Sequence, residues 1–343
     1  MNLKCVMLRV DYCEVLCLNI KNKQFFLREN EFIENNEKLS EKSKRRMKKS
    51  KADNTLRAYE ADWLDFYDWC LHHGLRALPA EPETIVNYIN DLADDAKANT
   101  VSRRLSAISE NHKAAGCEEK NPCRGGLVRN ALDAIKREKG TMQRGKSPLL
   151  IEDLQDIACC FDTGDIAGIR DKALLLTGFM GAFRRSELVR IDVEDLTFAR
   201  EGVIILVNQS KGDQEGQGEF VAIPYNSDSG VCAVIALRDW ITVAQIKTGA
   251  LFRPLNKYKQ VRPRRLTDKS VALIVKRYAS LIGRNADDFA GHSLRRGFAT
   301  SAAQHDVDER TIMQQTRHKS EKMVRRYIEQ GNLFKNNALN RMF

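Results

Sequence analysis

The feature that most limits what this chain can fold into is a solitary pair of β-rich runs, residues 203–207 and 220–224. Every other patterned stretch repeats its apolar residues in steps of three and four, the period of an amphipathic helix. Two neighbouring runs give a hairpin and not a sheet-based domain, so the chain is expected to be mainly α with a small β-hairpin or sheet. The Gly-rich loop between the runs has twelve residues, long for a hairpin, which points to a function for it. Its only lysine is Lys211.

The helical signal starts at Asn54, where Leu56, Tyr59, Trp63, Phe66 and Cys70 share one face until Gly74 breaks the pattern. "PAEPETIVNYINDLAD" opens a second helix after a proline pair, "NTVSRRLSAISENHKAAG" a third, and "VRNALDAIKREKG" a fourth. These predict a compact bundle of about ninety residues. "GTMQRGKSP" combines glycine, basic residues and a Ser-Pro break and reads as a linker. Beyond it, helices are expected at 151–160, 165–180, 229–247, 268–282, 292–305, 308–317 and 320–330. A chain of 343 residues exceeds the ~250–300 residues one core serves, so two domains are expected. The expected boundaries are an N-terminal extension at 1–50, a helical domain at 51–140, a linker at 141–148, a second domain at 149–330 and a tail at 331–343.

A net charge of +10 favours a polyanionic partner, nucleic acid above all. The block "EKSKRRMKKSK" near residue 50 is a solvated arm or a phosphate-binding one. Nine cysteines without a repeated C-x-x-C spacing argue against a disulfide framework or a structural zinc site, so no metal is expected. No Walker or dinucleotide fingerprint is present, and no cofactor is expected. The first twenty residues are interrupted by Lys4, Arg9, Asp11 and Glu14, too polar for a membrane span or a signal peptide. A cytoplasmic location without membrane association follows as an expectation.

Three local patterns lie in the second half. "GAFRRSELVRI" sets Arg184 and Glu187 one helical turn apart; "GHSLRRGFAT" does the same for His292 and Arg295; "TRHKSEKMVRRYIEQ" carries His318 and, nine residues on, Tyr327. Taken singly, each is an ordinary ion pair, a polar helix face or a half-buried aromatic, and Lys211 an ordinary loop lysine.

In order and spacing, these residues resemble the active-site signature of the tyrosine recombinases: Arg-x-x-Glu, a hairpin lysine, His-x-x-Arg, then His or Trp nine residues before the nucleophilic tyrosine. The resemblance spans roughly residues 54–330. "WLDFYDWCLHHGLRALPAEPETIVNYI" is similar to the helical DNA-binding domain of the phage recombinase Cre. Arg317 stands where most of the family has glycine, and the first fifty residues match nothing in its pattern.

The resemblance implies a two-domain, C-shaped DNA clamp: a SAM-like helical core-binding domain and an α+β catalytic domain. It implies a site-specific recombinase, bacterial or phage-encoded and nucleoid-associated, that forms a 3′-phosphotyrosyl intermediate and a Holliday junction. Its partners would be double-stranded DNA with an inverted-repeat site and three further copies of itself, the 331–343 tail docking on a neighbour. Within that frame Arg184 and Arg295 clamp the phosphate, Tyr327 attacks, and His292 accepts or relays a proton. His318 bonds the phosphate, Lys211 protonates the leaving 5′-oxygen and Glu187 orients its neighbours. Expected DNA contacts are Thr100, Ser102, Arg103 and Arg104 on the third helix, and Arg262, Arg264, Arg265, Lys269 and Arg296 in the second domain. Two alternatives remain: a type IB topoisomerase-like enzyme that religates the same strand, and a non-catalytic DNA-binding relative.

Overall fold

The computed structural model describes residues 40–43, 53–119, 121–142, 145–208, 218–226, 229–318, 320–331, 335, 339 and 342. Lys211, the N-terminal extension apart from 40–43, and most of the 331–343 tail lie outside the described residues. The chain divides into two compact units, Met1–Gln143 and Arg144–Phe343.

The first unit is a helical bundle of α1 (Asp53–His72), α2 (Pro82–Asp95), α3 (Ala98–Ala114) and α4 (Gly126–Lys139). The apolar steps of α1 bury Trp63, Phe66 and Cys70. The chain leaves α1 through Gly74, whose φ of 66° is open to glycine at little steric cost. Pro82 opens α2, where a missing N–H costs nothing because that group has no helical partner anyway. Phe66 meets Trp63 at 5.6 Å and Tyr88 at 4.9 Å between ring centroids, and Ile85, Ile89, Val101, Leu105, Ile108 and Val128 fill the rest of the core. His112 is fully buried as a strut: Nε2 accepts from the Ala80 N–H at 3.0 Å, and Nδ1 lies 2.8 Å from Ile108 O. The first bond needs a lone pair on Nε2, so the ring is the neutral Nδ1–H tautomer, in keeping with burial lowering its pKa.

The second unit is built around α6 (Ile166–Met180), where Ala173, Leu174, Leu175 and Leu176 are all fully buried. A helix apolar on every side must be covered on every side. α8 (Ala233–Val243), α9 (Asp268–Leu281) and α10 (Ser293–Gln304) all pack on it. Before it comes α5 (Ile151–Ala158); after it, α7 (Arg185–Arg190) leads into a three-stranded antiparallel sheet in the order β1 (Leu196–Phe198), β2 (Gly202–Val207), β3 (Glu219–Pro224). Val203 pairs with Ile223 and Ile205 with Val221, which keeps all four on the buried face. β1 and α7 are additions to the elements expected above; at three and six residues they are too short to carry a periodic signature.

α10 lies between α6 and α12 (Glu321–Gly331), with α11 (Glu309–Thr316) beside it. Its small residues permit this. Ala299 and Ala303 pack with Ile312, Val324 and Tyr327 in a separate apolar cluster. A Cβ on Gly297 would stand 1.7 Å from the Leu149 carbonyl oxygen. The same approach allows Leu149 N–H to donate to Ser293 O at 3.0 Å. α10 thereby brings Arg295 and Tyr327 to one end of the core.

Candidate active site

The site is assembled on the C-terminal end of α6. The last carbonyls of a helix have no helical partner, and the macrodipole makes that end attractive to cations. Three side chains from distant segments bond the carbonyls at this end and just past it. Gln315 Nε2 donates to Met180 O at 2.9 Å, Arg317 Nη1 to Gly181 O at 3.1 Å, and Arg295 Nη1 to Ala182 O at 2.8 Å. Ala182, at φ 46°, reverses the chain, and Phe183 folds under Gly181 so closely that a Cβ there would sit 2.1 Å from its ring.

The chain emerges from this turn at Arg184, the N-cap of α7, with Glu187 in the first turn. Glu187 is 3% exposed and accepts the Arg184 backbone N–H at 3.0 Å, the Arg184 guanidinium, and Arg317 Nη2 at 2.9 Å. Burial alone would raise this carboxyl. The charges of Arg317 and Arg184 and the Arg184 backbone bond outweigh that and hold it below the ordinary value.

Arg295 is completely buried, yet Nη1 alone of its nitrogens is bonded. Nε and Nη2 are buried with no hydrogen-bond partner among the described residues. Burial first, and then the charges of Arg184 and Arg317, push this guanidinium down to about 9 against the pull of Glu187 and Tyr327. It stays charged at neutral pH, so the pocket holds uncompensated positive charge and unmet donors together. Both conditions are relieved by an anion with several acceptor oxygens.

Two imidazoles border this charge. His292, the N-cap of α10, is exposed on one side; lost hydration on its packed side, then Arg295, Arg184, Arg296 and Arg185, lower its pKa. His318 follows α11. Burial, then Arg295, Arg184, His292 and Arg317, push it down to about 3. Both rings are therefore neutral at pH 7. The His318 tautomer follows from its neighbour: Thr316 Oγ1 donates its one proton to Ile312 O at 2.6 Å, so at 2.7 Å it accepts from His318 Nδ1–H. The His318 Nε2 lone pair is left for the pocket.

Tyr327 comes from α12. It is 8% exposed, and its ring lies 5.8 Å from that of His318 and 6.0 Å from the Arg296 guanidinium. The structure thus brings Arg184, Glu187, His292, Arg295, His318 and Tyr327 to one locus. Arg296, expected at DNA, also lies here, donating to Lys146 O. Lys211 falls outside the described residues, between β2 and β3.

Family models match most of the chain. Residues 150–332 match the phage integrase family, and 35–118 match the N-terminal SAM-like domain of phage integrases. A curated relative, the integrase/recombinase xerD homolog of Selenomonas ruminantium, is 64% identical over 320 residues, covering 93% of this chain and 94% of its own. The chain belongs to the phage integrase family, the tyrosine recombinases. Solved structures share the fold. The XerH site-specific recombinase bound to palindromic difH substrate superposes with a TM-score of 0.60 at 15% identity, over 84% of this chain and 78% of that one. A lambda integrase tetramer bound to a Holliday junction gives 0.55 at 15% identity, over 89% and 76%.

The expected DNA-contact residues of this recombinase fall into two groups. Arg262, Arg264 and Lys269 are exposed, Lys269 in the first turn of α9, and none of the three side chains has a hydrogen-bond or ion-pair partner among the described residues. The others are already engaged. Arg265 donates to Val189 O at 2.7 Å and Asp192 Oδ1 at 2.6 Å. On α3, Arg103 pairs with the buried Asp62; Arg104 pairs with Asp65 and donates to Tyr88 Oη at 2.9 Å. Ser102 donates back to Ala98 O at 2.9 Å, and Thr100 is half-buried. Three residues at the site escape sequence reasoning: Gln315, Thr316 and Arg317. The only written trace of them is an arginine at 317 where the family pattern has glycine.

Proposed function

We propose that this recombinase cuts and rejoins DNA at a specific site through a 3′-phosphotyrosyl intermediate on Tyr327, with guanidinium groups supplying the charge that a metal supplies elsewhere. The observation that carries the proposal is the buried Arg295 guanidinium, with two of its nitrogens unpartnered among the described residues, beside Arg184, His318 and Tyr327. A DNA phosphodiester offers two non-bridging oxygens carrying one negative charge, which suits two planar donors charged at neutral pH.

In the cleavage step the Tyr327 oxygen attacks phosphorus and the bond to the 5′-oxygen breaks. His292, neutral at pH 7, accepts or relays the phenol proton, and Lys211 protonates the leaving oxygen. Arg184 and Arg295 stabilise the added charge on the non-bridging oxygens. His318 needs a second proton on Nε2 to donate to the phosphate; an anion among these cations favours that imidazolium, which the unliganded pocket disfavours. Glu187 orients Arg184 and stays ionised. The bond energy is kept in the phosphotyrosyl ester, so a 5′-hydroxyl from another strand reverses the attack without ATP.

The assembly follows from the same reading. The two units grip a duplex carrying an inverted-repeat site, and four copies join two duplexes through a Holliday junction in the bacterial or phage-infected cytoplasm. The fold shared with lambda integrase supports this. No helix among the described residues is long and apolar enough to cross a membrane.

The test is a nicked duplex carrying the recognition site, from which the cleaved end diffuses away and traps the adduct. Wild-type protein is expected to form a covalent protein–DNA adduct and Tyr327→Phe none. An adduct that survives the substitution removes Tyr327 as nucleophile. Relaxation of plasmids lacking any site, without strand exchange, would favour the topoisomerase-like alternative.

A further inference from the structure

Arg317 is the strangest residue in the second unit. It caps α11 at φ 54° and ψ 45°, the left-handed region, where a side chain costs ~1–3 kcal/mol and glycine very little. A residue holds such a conformation only when its surroundings over-determine it. Here they do. The side chain is 4% exposed. Its guanidinium donates to Glu187 Oε2 at 2.9 Å, Gly181 O at 3.1 Å and Gln315 O at 3.1 Å, lies 4.9 Å above the Phe183 ring, and passes 3.8 Å from Glu219 Oε2 of β3.

These contacts tie together the carboxylate that holds one arginine and the turn that holds another. Glu187 is the carboxylate that holds Arg184. Gly181 adjoins Ala182, whose carbonyl holds Arg295. His318 is the next residue along the chain from Arg317. We propose that Arg317 is a positioning residue for strand cleavage, its guanidinium locking the turn that presents His318 to the Glu187–Arg184 pair so that histidine and phosphate clamp are set as one unit. The assignment rests on the reading of this pocket as the cleavage site.

Its geometry separates this role from simple stabilisation. Glycine at 317 relieves the backbone and keeps the turn, but leaves Glu187 with Arg184 as its one bonded cation and frees His318 to wander. Misplacement of an active-site group by about 1 Å costs up to about a hundredfold in rate. A second consequence concerns pH. Burial raises the Glu187 carboxyl and Arg317 is the leading charge opposing it, with Arg184 next. Arg295 also faces Glu187, and Glu219 adds a carboxylate on the far side of Arg317. Without Arg317, Glu187 takes up its proton at higher pH, so cleavage begins to fail at higher pH as the medium is acidified. An arginine that merely stiffened the fold would leave that acid limb where it is.

The experiment measures adduct formation on the nicked duplex, with site binding as the folding control, for wild type, Arg317→Gly, Arg317→Lys, Glu187→Gln and the Arg317→Gly/Glu187→Gln double variant. Arg317→Gly is expected to bind the site, to lose roughly ten- to a hundredfold in cleavage rate, and to shift its acid limb upward. The double variant is expected to lose that shifted limb and to cleave little worse than the slower single variant, because both changes break one linkage. If Arg317→Gly fails to bind, Arg317→Lys decides: a single ammonium nitrogen lacks the planar fork whose Nη2 and Nη1 reach Glu187 and Gly181 O separately, so it is expected to bind and cleave slowly. Wild-type cleavage by whichever of these two variants binds, or fully multiplicative losses in the double variant, would overturn the proposal. A wild-type adduct that Tyr327→Phe also forms would instead overturn the reading of the pocket.

Discussion

Arg295 is a charged group whose folded environment disfavours its charge. Its guanidinium is fully enclosed, Nη1 meets Ala182 O, and the other two nitrogens meet nothing among the described residues. Its lowered pKa means that the folded chain binds that proton less tightly than the unfolded chain does. At neutral pH the residue therefore subtracts from stability, a loss that the phosphate proposed above would return on binding. Arg295→Met, of similar length and uncharged, is expected to bind the site, to lose at least about a hundredfold in cleavage rate, and to melt no lower than wild type. A lower Tm with unchanged cleavage would show a structural arginine. His318 illustrates the same dependence on neighbours. Its identity and its distance from Tyr327 are written in the chain. Its tautomer depends on Thr316, whose hydroxyl proton is committed to Ile312 O.

α10 is the element that makes the site possible, and it does so by having little side chain where neighbours approach. Gly297 admits the 147–150 segment, with the Leu149 carbonyl where a Cβ would be. Ala299 and Ala303 admit α12 and hence Tyr327. Gly297→Ala is expected to cost about 1–3 kcal/mol by overpacking, or roughly 2–12 °C in Tm. Calorimetry on the whole chain measures it, and an unchanged Tm would mean that the segment moves aside freely. The longer helices of this unit were readable because each repeats its apolar residues over two turns or more. β1, with three residues, and α7, with six, have no such repeat; they form because β2 offers an edge and Glu187 caps its own first turn.

Across the whole molecule, the net charge of +10 announced a polyanionic partner without saying which arginines meet it. The structure separates spent charge from available charge. Arg262 and Arg264 are exposed, whereas Arg265 is tied to Asp192 and two carbonyls. Site binding is expected to weaken with salt, and Arg262→Ala or Arg264→Ala each to flatten the slope of log K against log salt by about one. Arg265→Ala should leave the slope unchanged and lower Tm instead; a flattened slope there would show that its internal bonds break on DNA. The mainly helical pattern and the spacings Arg184–Glu187, His292–Arg295 and His318–Tyr327 were legible in the residue string. Each is a local relation, carried by the period of one helix or the length of one turn. Hidden from it were the burial of Arg295, the inward engagement of Arg103, Arg104 and Arg265, and the bridge from Arg317 to Glu187, 130 residues away. Periodicity says which face of a helix turns inward. Which leftover carbonyl or carboxylate waits there is known only once distant segments have packed.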